Sequence, residues 1–222
     1  MVLSFFRKGP GGLEHVVSRA VGMLGDARHS FDLATLALLT DTDAANVDAD
    51  IRATDERMDR TEIELRSELV VHISVQGAMD IGSVLGLILL INKIERIGDQ
   101  AKNVLDLAEA GASLADQPDS EALLEERAEI SALFGDVADL MVEHDDARFD
   151  ELNRRCEQLQ ASHQAKIIGY LQSDEPGRAV VARAIDHRYL KRIVANLVGI
   201  VRAASEPVGI EASASVADPD EW

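Results

Sequence analysis

The chain has one cysteine, Cys156, among 222 residues. A single thiol forms no internal disulfide, so nothing in the fold depends on an oxidising compartment. A cysteine-rich zinc site is excluded as well. Aromatics are scarce, at 4%. Strands draw on aromatic and β-branched side chains, so this shortage beside abundant Ala and Leu favours helices. Basic residues are outnumbered: 22 Lys plus Arg face 40 Asp plus Glu, a formal charge of −18. That balance excludes a general nucleic-acid binder, which needs a basic surface to displace counterions. It also disfavours docking on anionic lipid.

Long apolar runs are missing too. The longest, Val84 to Ile91, falls far short of the ~20 residues that span a bilayer. Phe5 and Phe6 precede Arg7 and Lys8, the reverse of a signal peptide's order. The expectation is a soluble cytoplasmic protein. No Gly-x-Ser-x-Gly elbow occurs, and Gly9-Pro-Gly-Gly lacks the lysine of a phosphate loop. The six histidines show neither His-x-x-x-His nor Glu-x-x-His spacing, so a ferritin-like di-iron site lacks its signature. Cys156 has Arg154 and Arg155 beside it, which lower a thiol pKa when they face it. An ordinary helix cysteine is the commoner case.

What is present is apolar periodicity in a chain that is 46% hydrophobic, too much for an acidic disordered protein. Val16, Ala20, Met23, Leu24, Ala27, Phe31, Ala34 and Leu38 recur in steps of three and four, one face of a helix over 13–39. Thr40-Asp-Thr-Asp offers N-cap residues for a second helix over about 44–74. Gln76-Gly77-Ala78 reads as a turn. A third helix then runs over about 79–112, with Asp80 as its candidate N-cap and Gly111 near its end. It is apolar nearly all round from Val84 to Ile97, which predicts a buried central helix. Asp116-Gln-Pro-Asp-Ser is a linker. Further helices follow over about 120–143, 146–172 and 178–204. The predicted fold is all-α, with tandem three-helix bundles at 13–112 and 118–206 and a disordered acidic tail at 207–222.

The halves resemble each other. Asp55-Glu-Arg-Met-Asp59 and Asp146-Ala-Arg-Phe-Asp150 share one pattern, and Arg96-Ile aligns with Arg192-Ile. In that alignment Glu95 becomes Lys191 and Asp99 becomes Ala195. Asp55 with Asp59, and Glu95 with Asp99, stand four residues apart, so each pair shares a helix face. Like charges there repel by ~0.2–0.5 kcal/mol per pair, and a cation reverses that sign. Oxygen donors suit Mg²⁺, Mn²⁺ or iron. If helices two and three lie side by side, the four carboxylates converge. The spacing alone fits a solvated acidic face at least as well.

Asp80-Ile-Gly, the apolar run, and Ile91-Asn-Lys-Ile-Glu-Arg-Ile-Gly-Asp-Gln-Ala-Lys-Asn-Val104 together resemble the signature of the PhoU family. The likeness extends over about residues 13–205. It implies a cytoplasmic, non-enzymatic helical regulator of phosphate uptake and phosphate-starvation signalling. Its implied partners are a phosphate transporter subunit, usually the ATPase, a sensor histidine kinase, and a second copy in a homodimer. Family acidic motifs bind metal clusters, so the implied metal residues are Asp55, Asp59, Glu95 and Asp99, with Asp146 and Asp150 in the second copy. Gly82 departs from the family's arginine, and Lys191 and Ala195 replace both helix-six acids. Those departures leave open an accessory subunit of a secondary (Pit or sodium-coupled) phosphate transporter; a metal-dependent enzyme on the carboxylate face is a separate alternative.

Overall fold

The computed structural model describes residues 13–76, 80–143 and 145–205. These form α1 (Leu13–Leu39), α2 (Ala45–Gln76), α3 (Ile81–Glu109), α4 (Ser120–Val142), α5 (Asp146–Leu171) and α6 (Gly177–Ser205). No strand occurs among the described residues. The all-helical reading holds, and the helix ends lie within three residues of those expected. Phe5 to Lys8, Gly77-Ala78 and the 207–222 tail fall outside the described residues.

The helix boundaries have local causes. The Asp43 carboxylate accepts the Ala45 N–H at 3.0 Å and starts α2. The Asp145 carboxylate accepts the Arg148 N–H at 3.0 Å and starts α5. Gly111 ends α3 with φ +87°, a backbone conformation that favours glycine. Around it the Gly111 N–H donates to the Ala108 carbonyl at 2.9 Å and the Ala112 N–H to the Leu107 carbonyl at 3.0 Å. Asp80 stands at the N-cap position of α3 but makes no side-chain cap. Its carboxylate faces the His72 ring at 3.0 Å instead, tying the end of α2 to the start of α3.

In the first three helices, α1, α2 and α3 pack on one another, and the last three repeat the plan. Corresponding helices then meet across the middle, α1 against α4 and α3 against α6. The apolar stripe of α1 and that of α4 face one another through Phe31 and Phe134, stacked at 5.6 Å between ring centroids. Arg127 of α4 donates to the Asp32 carboxylate of α1 at 2.9 Å beside them. One continuous core therefore runs from Leu13 through Ile91 and Ile94 to Ile193 and Leu197. Glycines let α3 and α6 come close. A Cβ on Gly86 would sit 3.0 Å from the Ala203 carbonyl oxygen. A Cβ on Gly199 would sit 2.8 Å from the Lys93 ammonium.

The central helix α3 touches α1, α2 and α6, yet it is not buried all round. Leu85 and Leu89 are exposed. Three neighbours cover about three faces of a cylinder, and these leucines lie on the fourth.

Candidate functional site

α2 and α3 run antiparallel, and their contacts set the register. Lys102 of α3 reaches Asp55 of α2 at 2.8 Å, while Arg66 of α2 reaches Asn92 of α3 at 2.6 Å. Between these ties lie Asp59 and Glu62 on α2 and Glu95 and Asp99 on α3. Gly98, next to Asp99, has no side chain to hold α2 away: a Cβ there would meet the Met58 methyl at 2.9 Å. The close approach brings the carboxylates of Asp59 and Asp99, each next to these contacting residues, to the same edge of the helix pair.

The sequence-derived acids Asp55, Asp59, Glu95 and Asp99 thus share one face. Lys102 joins two of them, lying 2.8 Å from Asp55 and 3.0 Å from Asp99. The other end is crowded with negative charge. Burial pushes the Glu95 carboxyl up to about 7, and Asp99, Glu62 and Asp59 push it the same way. Burial and the charges of Asp59 and Asp99 also raise Glu62, against the pull of Arg66, whose guanidinium is 2.7 Å away. Glu62 was not singled out from the sequence. The stripe Asp55, Asp59, Glu62 follows steps of four and three, and that signal could have found it.

Asp146 and Asp150 have another setting. Both are exposed, in the first turns of α5. α5 and α6 pair antiparallel through Lys191 donating to Gln164 at 2.7 Å and Arg202 donating to Asn153. Asp150 is therefore 14 residues from the level of Lys191, ~21 Å of helix. The structure does not bring Asp146 or Asp150 to the α6 positions that correspond to Glu95 and Asp99.

Cys156 is fully buried. Burial pushes its thiol up to about 11 despite Arg155 and Arg202 nearby, the opposite of an activated nucleophile.

The histidines hold something the spacing did not show. His163 of α5 and His187 of α6 are both fully buried, with their Nδ1 atoms 3.1 Å apart. Glu126 of α4 faces both, 3.8 Å from His163 Nδ1 and 3.7 Å from His187 Nδ1. Burial, helped by the charge of Lys166, lowers His163 to about 4 and His187 to about 3, so both imidazoles are neutral at pH 7. Glu126, His163 and His187 come from three helices, which is why no local motif announced them.

No helix among the described residues is long and apolar enough to cross a membrane. Residues 21–108 match the model of the PhoU domain family, a span that contains the whole carboxylate face. No curated protein matches the chain in sequence. The crystal structure of PhoU from Pseudomonas aeruginosa is similar with a TM-score of 0.72 at 18% identity, over 86% of this chain and 94% of that one. At that coverage the likeness extends into the second bundle. Residues 21–108 thus match the PhoU domain model, and the chain shares the fold of the Pseudomonas aeruginosa PhoU structure.

Proposed function

We propose that this protein is a PhoU-like regulator that restrains phosphate uptake and phosphate-starvation signalling by contact with other proteins, without chemistry of its own. The observation that carries the reading is the carboxylate face of α2 and α3 lying inside the PhoU domain. The regulator works in the cytoplasm, against a phosphate transporter subunit and a sensor histidine kinase, and as a homodimer. Direct capture of phosphate is a poor match for the face. The cations that contact it, Lys102 and Arg66, are already engaged by Asp55, Asp99 and Glu62, which leaves them poorly placed to clamp an anion.

A hard cation fits better. Asp59, Glu62, Glu95 and Asp99 offer only oxygen donors. Burial raises the Glu95 carboxyl first, and Asp99, Glu62 and Asp59 add to that at the end away from Lys102. Those four residues would hold Mg²⁺, Mn²⁺ or an iron centre, whose charge would offset the crowding and stiffen the α2–α3 face for a partner. Lys102 holds both Asp55 and Asp99, so each contributes fully only if that lysine withdraws.

Affinity capture from phosphate-replete cells tests the reading. A transporter subunit or sensor kinase retained by the wild type and reduced by Glu95→Ala with Asp99→Ala supports it. Recovery of neither class of partner rejects it.

A further inference from the structure

The Glu126, His163 and His187 cluster is separate from the carboxylate face, lies in the second bundle and sits inside the core. Among the described residues it is the set of three metal-ligating side chains whose donor atoms all lie within 4.8 Å of one another. Its geometry is unusual for a hydrogen-bonded core. The Nδ1 atoms of two neutral imidazoles share at most one hydrogen across their 3.1 Å contact. The Glu126 oxygens, at 3.7 and 3.8 Å, are too far to accept from either ring. The imidazole pair therefore offers one Nδ1 lone pair beside a carboxylate that neither ring hydrogen-bonds, and the Nε2 atoms of both rings are buried without a hydrogen-bond partner.

Those separations match a coordination sphere. Ligands held ~2.0–2.1 Å from a tetrahedral ion are ~3.3–3.4 Å apart; the Nδ1 atoms lie 3.1 Å apart, with Glu126 Oε1 3.8 Å from His163 and Glu126 Oε2 3.7 Å from His187, within about half an ångström of that distance. Two imidazoles and one carboxylate select a divalent first-row transition ion over Mg²⁺ or Ca²⁺. The surroundings act as a supporting shell. Lys166 donates to both Glu126 oxygens at 2.9 and 3.0 Å, leaving further lone pairs for an ion and fixing the carboxylate. Tyr170 stacks on the His187 ring at 5.8 Å between centroids, nearly parallel at 9°. Asp186 is buried, with Oδ1 lacking a hydrogen-bond partner, and lies within electrostatic reach of Glu126 and Lys166. Lys166 is 37% exposed, so its side of the cluster gives an ion a way in.

We infer that His163, His187 and Glu126 form a structural site for a divalent transition-metal ion of the zinc type, joining α4, α5 and α6. The ion would pin the second bundle from within, independently of cations on the first.

The test adds Zn²⁺ to the full chain and follows the imidazole signals of the wild type by NMR. At one equivalent, the ring nitrogen signals of His163 and His187 shift together, and Co²⁺ in place of Zn²⁺ gives the visible absorption of a low-coordinate, nitrogen-bound ion. His163→Leu with His187→Leu weakens Zn²⁺ binding by about 100-fold, while Glu121→Gln, at an exposed acid of α4 outside both sites, leaves it unchanged. Imidazole signals that stay put in excess Zn²⁺, or a folded double variant that binds as tightly as wild type, would overturn the inference. If the double variant fails to fold, the wild-type NMR result decides alone.

Discussion

Glu95 gives the sharpest prediction about the carboxylate face. Its carboxyl is pushed from 4.5 to about 7 by burial, then by Asp99, Glu62 and Asp59. The folded chain therefore holds this proton more tightly than the unfolded chain does. The resulting stabilisation is complete below about pH 4.5 and is lost as pH rises through about 7. One pKa unit is worth ~1.4 kcal/mol. The group is far from fully buried, however, and solvent screening reduces the total to about 1 kcal/mol. Glu95→Gln cannot ionise. At pH 8 in a chelating buffer it should unfold in urea with about 1 kcal/mol more stability than wild type. At pH 5 the two proteins should differ little. Mn²⁺ should close the gap at pH 8 by stabilising the wild type. Equal differences at both pH values would show that the Glu95 carboxyl is not raised in the folded chain, and the reasoning would fail.

Other outcomes follow from the same geometry. Lys102→Met removes the cation between Asp55 and Asp99, so calorimetric titration should show tighter Mn²⁺ binding, at a cost of ~0.5–1 kcal/mol in stability without metal. Weaker Mn²⁺ binding would contradict the site. Gly86→Val forces side-chain atoms against the Ala203 carbonyl and should cost ~1–3 kcal/mol. Gly135→Ala enters open space and should gain up to ~1 kcal/mol; thermal melts that move both variants the same way would refute this packing. Cys156, with its buried thiol at about 11, should react with a disulfide reagent only as fast as the chain opens, and rapid labelling of the native protein would show otherwise.

The helices and their order were legible because apolar residues recur at helical spacing and breaks carry turn residues, as at Thr40–Asp43 and Ser173–Gly177. The acidic face was legible in part. Asp55, Asp59, Glu95 and Asp99 stand at spacings fixed by one helix turn. Lys102's place between them depends on how two helices align, which no local pattern encodes. Asp146 and Asp150 repeat the α2 motif in sequence, but the α5–α6 register set by Lys191 with Gln164 puts them elsewhere. Asp80 illustrates competition: a good cap residue was drawn off by His72. The His163 and His187 contact joins residues 24 apart on different helices, and Glu126 stands among other acids on α4, Glu121, Glu125 and Glu129. Its burial comes only from packing α4 over α5 and α6.

The central claim is that the chain restrains phosphate uptake. It is tested most directly by deleting its gene and measuring labelled phosphate uptake together with phosphate-starvation gene expression in phosphate-replete medium. The account predicts that both rise, and that wild-type protein restores them while Glu95→Ala with Asp99→Ala does not. Uptake and expression both unchanged by the deletion would contradict it.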